Sequence, residues 1–281
     1  MSNPIILGAT GQIGQALARV WPGDAPRGIW QHRPGADTDI IAGFPGPALE
    51  WDLLGSPAPT LPQEADSMIV LAGVMGSDLA ALARNTDIAL VAARAARRAG
   101  IPRVLVASTQ AVYGTEAVYV SEDSPCAPSA PYGLAKLAME QALANFPEVT
   151  CLRLGNVAGT DMLFQVAARQ PVTLDHFVDG KSPQRSYIGP VTLADVLLRL
   201  SDPDLPLPPV LNVASPGVLE MSQVMSAAGV AIAWRAAHAS ALACLEMDVS
   251  RLAALVPLSS AEAQALVEEA RLGGWRAYVP D

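Results

Sequence analysis

The chain has 281 residues and a net charge of −9, and it is 51% hydrophobic but only 16% charged. So apolar a composition excludes disorder, and the acidic balance leaves no basic face for nucleic acid or an anionic membrane surface. The longest apolar run, Val224 to Trp234, is broken by Ser226 and Gly229 and falls well short of the roughly 18 residues of a membrane span.

Short apolar strands alternate with longer amphipathic helices along the first half. Strands are predicted at Pro4 to Leu7, Gly28 to His32, Ala48 to Leu53, Ser67 to Ala72, Arg103 to Ala107 and Val149 to Leu154. Helices are predicted at Gln12 to Val20, at Asp78 to Ala99 (ended by Gly100, with Pro102 beyond) and at Tyr132 to Phe146. The later rhythm is looser. It holds a strand from Pro171 to Leu174, a helix from Val191 to Leu200, a surface loop from Ser201 to Pro209 and a strand from Leu211 to Val213. A last helix runs from Ser259 to Leu272, N-capped by Ser259 or Ser260 with Glu262 in its first turn. The pattern implies an α/β fold: a doubly wound, Rossmann-like parallel sheet over residues 1–159. A small C-terminal α/β substrate lobe covers 160–281, with some later segments returning to the sheet.

The first strand runs into GATGQIG, in which Gly8, Gly11 and Gly14 suit a tight turn, close approach of a pyrophosphate and tight helix packing. The free amides and dipole at the helix start favour phosphate oxygens. Between a clean strand and an amphipathic helix, the motif points to a bound dinucleotide. An NAD site usually has an acid near the end of the second strand. Here the residues are Gln31, His32 and Arg33. Arg33 can pair with a 2′-phosphate or be an ordinary solvated loop residue, so the cofactor is NADP or NAD, with NADP slightly favoured. Asp52, after the third strand, can meet the adenine.

The fifth strand ends in ASTQAVYG, and PYGLAK follows downstream. Tyr132 and Lys136 lie four apart at a helix start and so share one face. An ammonium beside a phenol stabilises the phenolate, which predicts a Tyr132 pKa lowered toward neutrality, fit for proton exchange with a hydroxyl or carbonyl. Thr109, at a strand's carboxyl end, can hydrogen-bond the same oxygen. With five tyrosines and two lysines in the chain, a chance Y-x-x-x-K is about a 4% event.

With these segments the chain resembles the extended short-chain dehydrogenase/reductase family, the NAD-dependent epimerase/dehydratase group. VLAGVMG (Val70 to Gly76), Asn85, LRLGNVAG (Leu152 to Gly159), RSYIGPVTLADV (Arg185 to Val196), LNVAS and LEMDVSRL extend the likeness over nearly the whole chain. It implies Thr109, Tyr132 and Lys136 as catalytic residues. It implies cofactor contacts from Gly8, Thr10, Gly11, Gln12, Ile13 and Gly14, from Arg33, Asp52 and Leu53, from Leu71, Ala72 and Gly73, and from Tyr132 and Lys136. Substrate contacts are implied for Val74, Thr109, Gln110, Asn156 and Arg185. The family's 4,6-dehydratases carry T-D-E where this chain reads Thr109-Gln110-Ala111, so dehydration is disfavoured. Gly189 and Thr192 replace a usual His and Asp, and the short C-terminal lobe suits a small substrate.

The expected activity is NAD(P)-dependent epimerisation or oxidoreduction of a sugar or nucleotide-sugar substrate. A reductase or dehydrogenase of a small carbonyl compound or sugar acid is an alternative. A further rival is a cofactor-sensing binding protein without turnover; such relatives typically lose the tyrosine or the lysine, and both are present here. The helices from Asp78 and Tyr132 can supply a homodimer contact, as the family often does. Cys126, Cys151 and Cys244 form neither a disulfide framework nor a metal cluster, and Asp161, Asp175 and Asp179 lack metal-ligand spacing. With no secretory leader read at the N-terminus, the expectation is a cytoplasmic protein without a metal, a nucleic-acid partner or a membrane partner.

Overall fold

Ile5, Ile6 and Leu7 are all fully buried, so the first strand shows water neither face and needs cover on both. The computed structural model describes residues 2–116 and 118–279, so positions 1 and 281 of the two expected units lie outside the described residues. In chain order the first elements are β1 (Pro4–Leu7), α1 (Gln12–Val20), β2 (Ile29–His32), α2 (Thr38–Ala42), β3 (Ala48–Glu50), β4 (Ser67–Val70) and α3 (Leu79–Ala99). β5 (Arg103–Thr109), a 3-10 turn at Gln110–Tyr113, β6 (Tyr119–Val120), α4 (Pro131–Leu143), β7 (Val149–Leu154), β8 (Asn156–Val157) and α5 (Met162–Ala167) follow. Then come β9 (Val172–His176), β10 (Gln184–Arg185), β11 (Tyr187–Ile188), α6 (Pro190–Leu200), β12 (Val210–Val213), β13 (Leu219–Glu220) and α7 (Met221–Ala228). β14 (Ile232–Ala236), β15 (Cys244–Met247), α8 (Ser250–Ala253) and α9 (Ala263–Leu272) complete the described fold.

Seven parallel strands form the central sheet in the order β12-β7-β5-β4-β1-β2-β3. The chain builds outward from β1 to β3, then returns to β4 on the other side of β1. That reversal opens a crevice at the strands' carboxyl ends, where α/β sheets bind ligands. Alternation along each strand feeds two cores. Ile5, Leu7, Met68, Val70, Val104 and Val106 pack with Ala89, Ala92, Ala93 and Ala96 of α3. Ile6, Ile69 and Leu105 face Leu17 of α1 and Leu193, Val196 and Leu197 of α6. The small alanines let α3 sit close to the sheet. The Asp78 carboxylate caps α3 by accepting from Ala80 N at 3.0 Å, and Gly100 ends it at φ +72°.

The doubly wound parallel sheet is as the sequence predicts, and several boundaries move. β4 stops at Val70 because the amides of Leu71 and Ala72 both turn to Leu7 O, at 2.9 and 3.0 Å. β5 runs on to Thr109 because it stays paired to β7 through Thr109 opposite Leu154. The last helix begins at Ala263 with Glu262, not Ser259 or Ser260, at its N-cap. Ala261 N is already committed to Pro216 O at 2.9 Å, which ties that segment to a loop.

A third core lies in the second half, with Phe164, Tyr187, Val224, Met225 and Val267 around Trp275. Phe164 and Trp275 meet edge to face with centroids 4.9 Å apart. The apolar run from Val224 divides at Gly229 (φ +75°) into the end of α7 and the approach to β14. β12 belongs to the central sheet, and α6 covers it beside α1.

Candidate active site

The loop from β1 to α1 is held by backbone fit. Gly8 has φ +86°, and a Cβ on it would stand 2.5 Å from Ala72 N. A Cβ on Gly14 would stand 2.5 Å from Gly8 O and 2.6 Å from Ala9 Cα. Both positions therefore require glycine. Gly11 differs: it is exposed, and a Cβ there would meet only Gly8 O, at 3.2 Å. Gly11 is also the N-cap of α1 and offers no side chain to the first-turn amides. Those amides face an open cradle, and the residues present fit a dinucleotide pyrophosphate.

The surrounding side chains brace this cradle. Thr10 O accepts from Gln15 Nε2 at 2.8 Å, and Ile13 packs on the core. Exposed Gln12 accepts at Oε1 from Gln165 Nε2 at 2.8 Å, which links the loop to α5. Gln31, which no site prediction included, is buried at the end of β2. It accepts from Gly8 N at 2.7 Å and donates to Trp51 O at 2.6 Å. Its amide ties the glycine loop to the end of β3, and its only signal was a polar residue inside an apolar strand. Arg33, two residues on, is exposed. Asp52 accepts from Leu54 N at 3.3 Å, and Leu53 packs beside Trp51 in the core.

Across the crevice lies the Tyr–Lys segment. Gly133 lets α4 begin against the 3-10 turn, since a Cβ there would stand 2.5 Å from Ala111 O. That close approach brings Tyr132 and Lys136 to the end of β5. Lys136 is 4% exposed and donates from Nζ to Ala107 O at 2.8 Å. Its Nζ lies 3.4 Å from where a Cβ on Gly73 would stand, and Asn85 Oδ1 lies 2.8 Å from the same point. Asn85 is buried in α3. It accepts from Val74 N and donates to Val74 O, each at 3.0 Å, which fixes the loop from Leu71 through Ala72 and Gly73 to Val74. Thr109 Oγ1 accepts from Ala111 N at 3.2 Å and keeps its own proton to donate.

Burial pushes the Lys136 ammonium down to about 8, against smaller upward effects from Cys151 and Glu140. Burial also pushes the Tyr132 phenol up to about 12. The predicted lowering of Tyr132 is therefore not a property of the chain alone. Desolvation governs it, and the Lys136 ammonium is directed to Ala107 O.

Beneath the crevice runs a buried polar network that sequence reasoning missed. Glu140, four residues after Lys136, accepts from Ser108 Oγ at 2.5 Å and pairs with Arg153 Nη2 at 2.7 Å. Arg153 also donates to Tyr113 Oη at 3.1 Å, and Tyr113 donates to Asn212 Oδ1 at 2.6 Å. The sequence signal was the i, i+4, i+8 series Tyr132, Lys136 and Glu140 on one helix. Five segments, β5, the 3-10 turn, α4, β7 and β12, are thereby locked together.

Asn156 opens β8, just past the end of β7, and accepts from Gln110 Nε2 at 2.5 Å. Arg185 lies farther along, on β10. Its guanidinium donates to Gln184 O at 2.7 Å and to Leu242 O at 2.8 Å, so part of its donor set is spent on carbonyls. Among the described residues, no group of three His, Cys, Asp or Glu side chains is placed to hold a metal ion. None of the described helices is long and apolar enough to cross a membrane.

Comparison with known proteins agrees with this fold. A UDP-glucose 4-epimerase of Azospirillum brasilense is 42% identical over 94 residues, which is 31% of this chain and 27% of that enzyme's length. The UDP-Glc/GlcNAc 4-epimerase of Campylobacter jejuni superposes with a TM-score of 0.77 at 20% identity, covering 97% of this chain and 99% of that one. MoeE5, solved in complex with UDP-glucose and NAD, superposes with a TM-score of 0.73 at 21% identity, covering 96% and 99%. The model of the NAD dependent epimerase/dehydratase family matches residues 5–192, and with it the glycine loop, Thr109, the Tyr–Lys pair and Arg185. This chain belongs to the NAD-dependent epimerase/dehydratase family.

Proposed function

We propose that the protein is an NAD(P)-dependent epimerase or oxidoreductase of a nucleotide sugar or related sugar, with Tyr132 as its proton-transfer group. One observation carries this reading. The buried Lys136 ammonium, fixed to Ala107 O at 2.8 Å, lies at the ends of β4 and β5, across the crevice from the glycine cradle. A nicotinamide dinucleotide, when bound, supplies the redox chemistry at a carbinol carbon of the substrate.

The chain's own residues do the rest. Gly11 and the first turn of α1 hold the pyrophosphate. Tyr132 passes a proton to or from the substrate oxygen at its Oη. Lys136 favours the phenolate and holds the nicotinamide ribose, and Thr109 orients the same substrate oxygen through its free proton. The absence of acids at Gln110 and Ala111 disfavours 4,6-dehydration. Exposed Arg33 favours NADP over NAD, although MoeE5 was solved with NAD. Exposed Leu79 and Leu134, on α3 and α4, support a homodimer. The three unpaired cysteines suit a reducing cytoplasm.

The test is a panel of UDP-glucose, UDP-N-acetylglucosamine, UDP-glucuronate and the free sugars, read by NAD(P)H absorbance and by the product's NMR stereochemistry. An epimerase returns the epimer with no net cofactor change, whereas a reductase consumes cofactor stoichiometrically. Tyr132→Phe should lower turnover by about 10²–10⁴-fold with cofactor affinity retained. Turnover equal to wild type would sink the reading. Arg33→Ala should weaken NADP binding and spare NAD; unchanged NADP affinity removes the preference.

A further inference from the structure

α5 is joined to α1 in two places of unequal strength. One join is buried. Phe164 of α5 is fully buried, and its carbonyl accepts from Trp275 Nε1 at 2.8 Å. Tyr278 N, three residues on, donates to Ala167 O at 2.9 Å. The same C-terminal segment reaches the last turn of α1, where Gly273 O accepts from Arg19 Nη1 at 3.4 Å. A Cβ on Gly273 would stand 3.3 Å from Ala16 Cβ, so the two backbones are close.

The other join is a single exposed bond at the opposite end of α1. Gln165 of α5 donates from Nε2 to Gln12 Oε1 at 2.8 Å. The same nitrogen donates to Thr160 O at 2.9 Å. An amide nitrogen has two protons, so the bond to Thr160 O fixes the Gln165 amide and leaves the second proton for Gln12. Gln12 is exposed and is the first residue of α1, next to the N-cap Gly11. Its own backbone amide is one of those that face the dinucleotide cradle. The bridge therefore closes the cradle on its α5 side.

The two joins differ in how readily they open. Phe164 and Trp275 sit in a packed core, whereas an amide–amide bond in water favours its closed form only about 2- to 12-fold. α5 is thus a fixed post, and the two glutamine side chains are a catch that opens thermally without disturbing the fold.

We propose that the Gln12–Gln165 bridge is a latch on the dinucleotide cradle, which sets how fast the cofactor enters and leaves. It rests on the dinucleotide reading above and adds the step that governs cofactor exchange. Epimerisation returns the hydride to the substrate and needs no exchange, whereas net reduction needs a fresh cofactor at each turnover. The latch bears on the second case directly, because there release of the dinucleotide lies on the catalytic cycle.

Gln12→Met and Gln165→Met each remove one partner, keep side-chain length and helix propensity, and leave the backbone amides of the cradle in place. Stopped-flow fluorescence of NADH and NADPH gives the association and release rates. Each single variant should speed both rates about 2- to 12-fold and leave Kd within about twofold, since a latch bars entry and exit alike. The double variant should release the cofactor no faster than about twice the faster single, because one bond is lost in every case. Urea midpoints should match wild type.

Unchanged rates in the single variants overturn the latch. So does faster release with unchanged association, which would make the glutamines simple cofactor contacts, and so do single effects that multiply in the double variant. Wild type that binds neither NADH nor NADPH overturns the dinucleotide reading and the latch with it, whereas the other outcomes leave that reading standing.

Discussion

Glu140→Ala tests the network beneath the crevice. The Glu140 carboxylate meets Arg153 at Nη2 (2.7 Å) and Nε (3.2 Å), and the two side chains are 5% and 6% exposed. Truncation leaves a guanidinium buried without its counter-charge, which costs about 3–5 kcal/mol. Ser108 loses its acceptor, worth about a further 1 kcal/mol. Arg153 keeps Tyr113 Oη at 3.1 Å, which offsets part of the loss. The expected destabilisation is therefore about 3–4 kcal/mol, read as a fall in urea midpoint at constant m. The double variant Glu140→Leu, Arg153→Met should be far less damaged than the single, because it leaves no charge stranded. The Glu140 charge also holds the Lys136 pKa up, so Glu140→Gln should move the alkaline limb of turnover to lower pH. A loss below about 1 kcal/mol for Glu140→Ala, or a double variant as unstable as the single, refutes the reasoning.

Lys136→Met probes the buried ammonium through stability instead of rate. Lys136 titrates near 10.5 when unfolded and at about 8 when folded. The unfolded chain therefore holds the extra proton between those values, and wild-type stability should rise with pH across that window. The rise is about 1.4 kcal/mol per unit at most and about 3 kcal/mol in all, and the charged form carries that cost below pH 8. Lys136→Met should lack this rise and be the more stable protein at pH 7, while losing turnover; parallel stability curves for the two proteins would contradict the assignment. Gly8→Ala and Gly11→Ala separate fold from binding. The first should cost about 2 kcal/mol or more, because φ is +86° and Ala72 N is 2.5 Å from the added carbon. The second should leave the melting temperature nearly unchanged and weaken dinucleotide binding, and equal losses of melting temperature would disprove the cradle.

The central sheet was legible because it follows from local rules. β1, β4 and the first part of β5 are short aliphatic runs, and the helices between carry period-3.6 stripes and glycine stops such as Gly100. The glycine loop and the Tyr–Lys pair were legible for the same reason, since each is a short continuous pattern. What stayed hidden depends on distant pairing. β8, β10, β11 and β13 have two residues each, too few for any periodicity to register, and they exist only through partners such as Tyr187 opposite Asn156. Gln31 and Glu140 read as an unremarkable amide and a helix carboxylate until the fold brings Gly8 and Trp51 to one and Ser108 and Arg153 to the other. Asp161 was weighed only as a metal ligand. Its place as the N-cap of α5, accepting from Phe164 N, is a property of the packed chain.

The fold also explains why a chain with sixteen arginines keeps a lysine at position 136. Its ammonium lies in a space bounded by Ala107 O on one side and, within 3.4 Å of a Gly73 Cβ, by the loop after β4 on the other. A planar guanidinium with five donors does not fit that gap, and it would leave most of its donors unmatched. Burial also brings the Lys136 proton within reach of ordinary pH, at about 8, whereas arginine stays charged. Lys181, the other lysine, is exposed in a turn, where either residue serves. What distinguishes position 136 is therefore the demand for a compact cation that can be dehydrated and deprotonated. Asn85 on α3 and Gly73 in the loop after β4 bound that space, while the Glu140 charge keeps the Lys136 pKa from falling further.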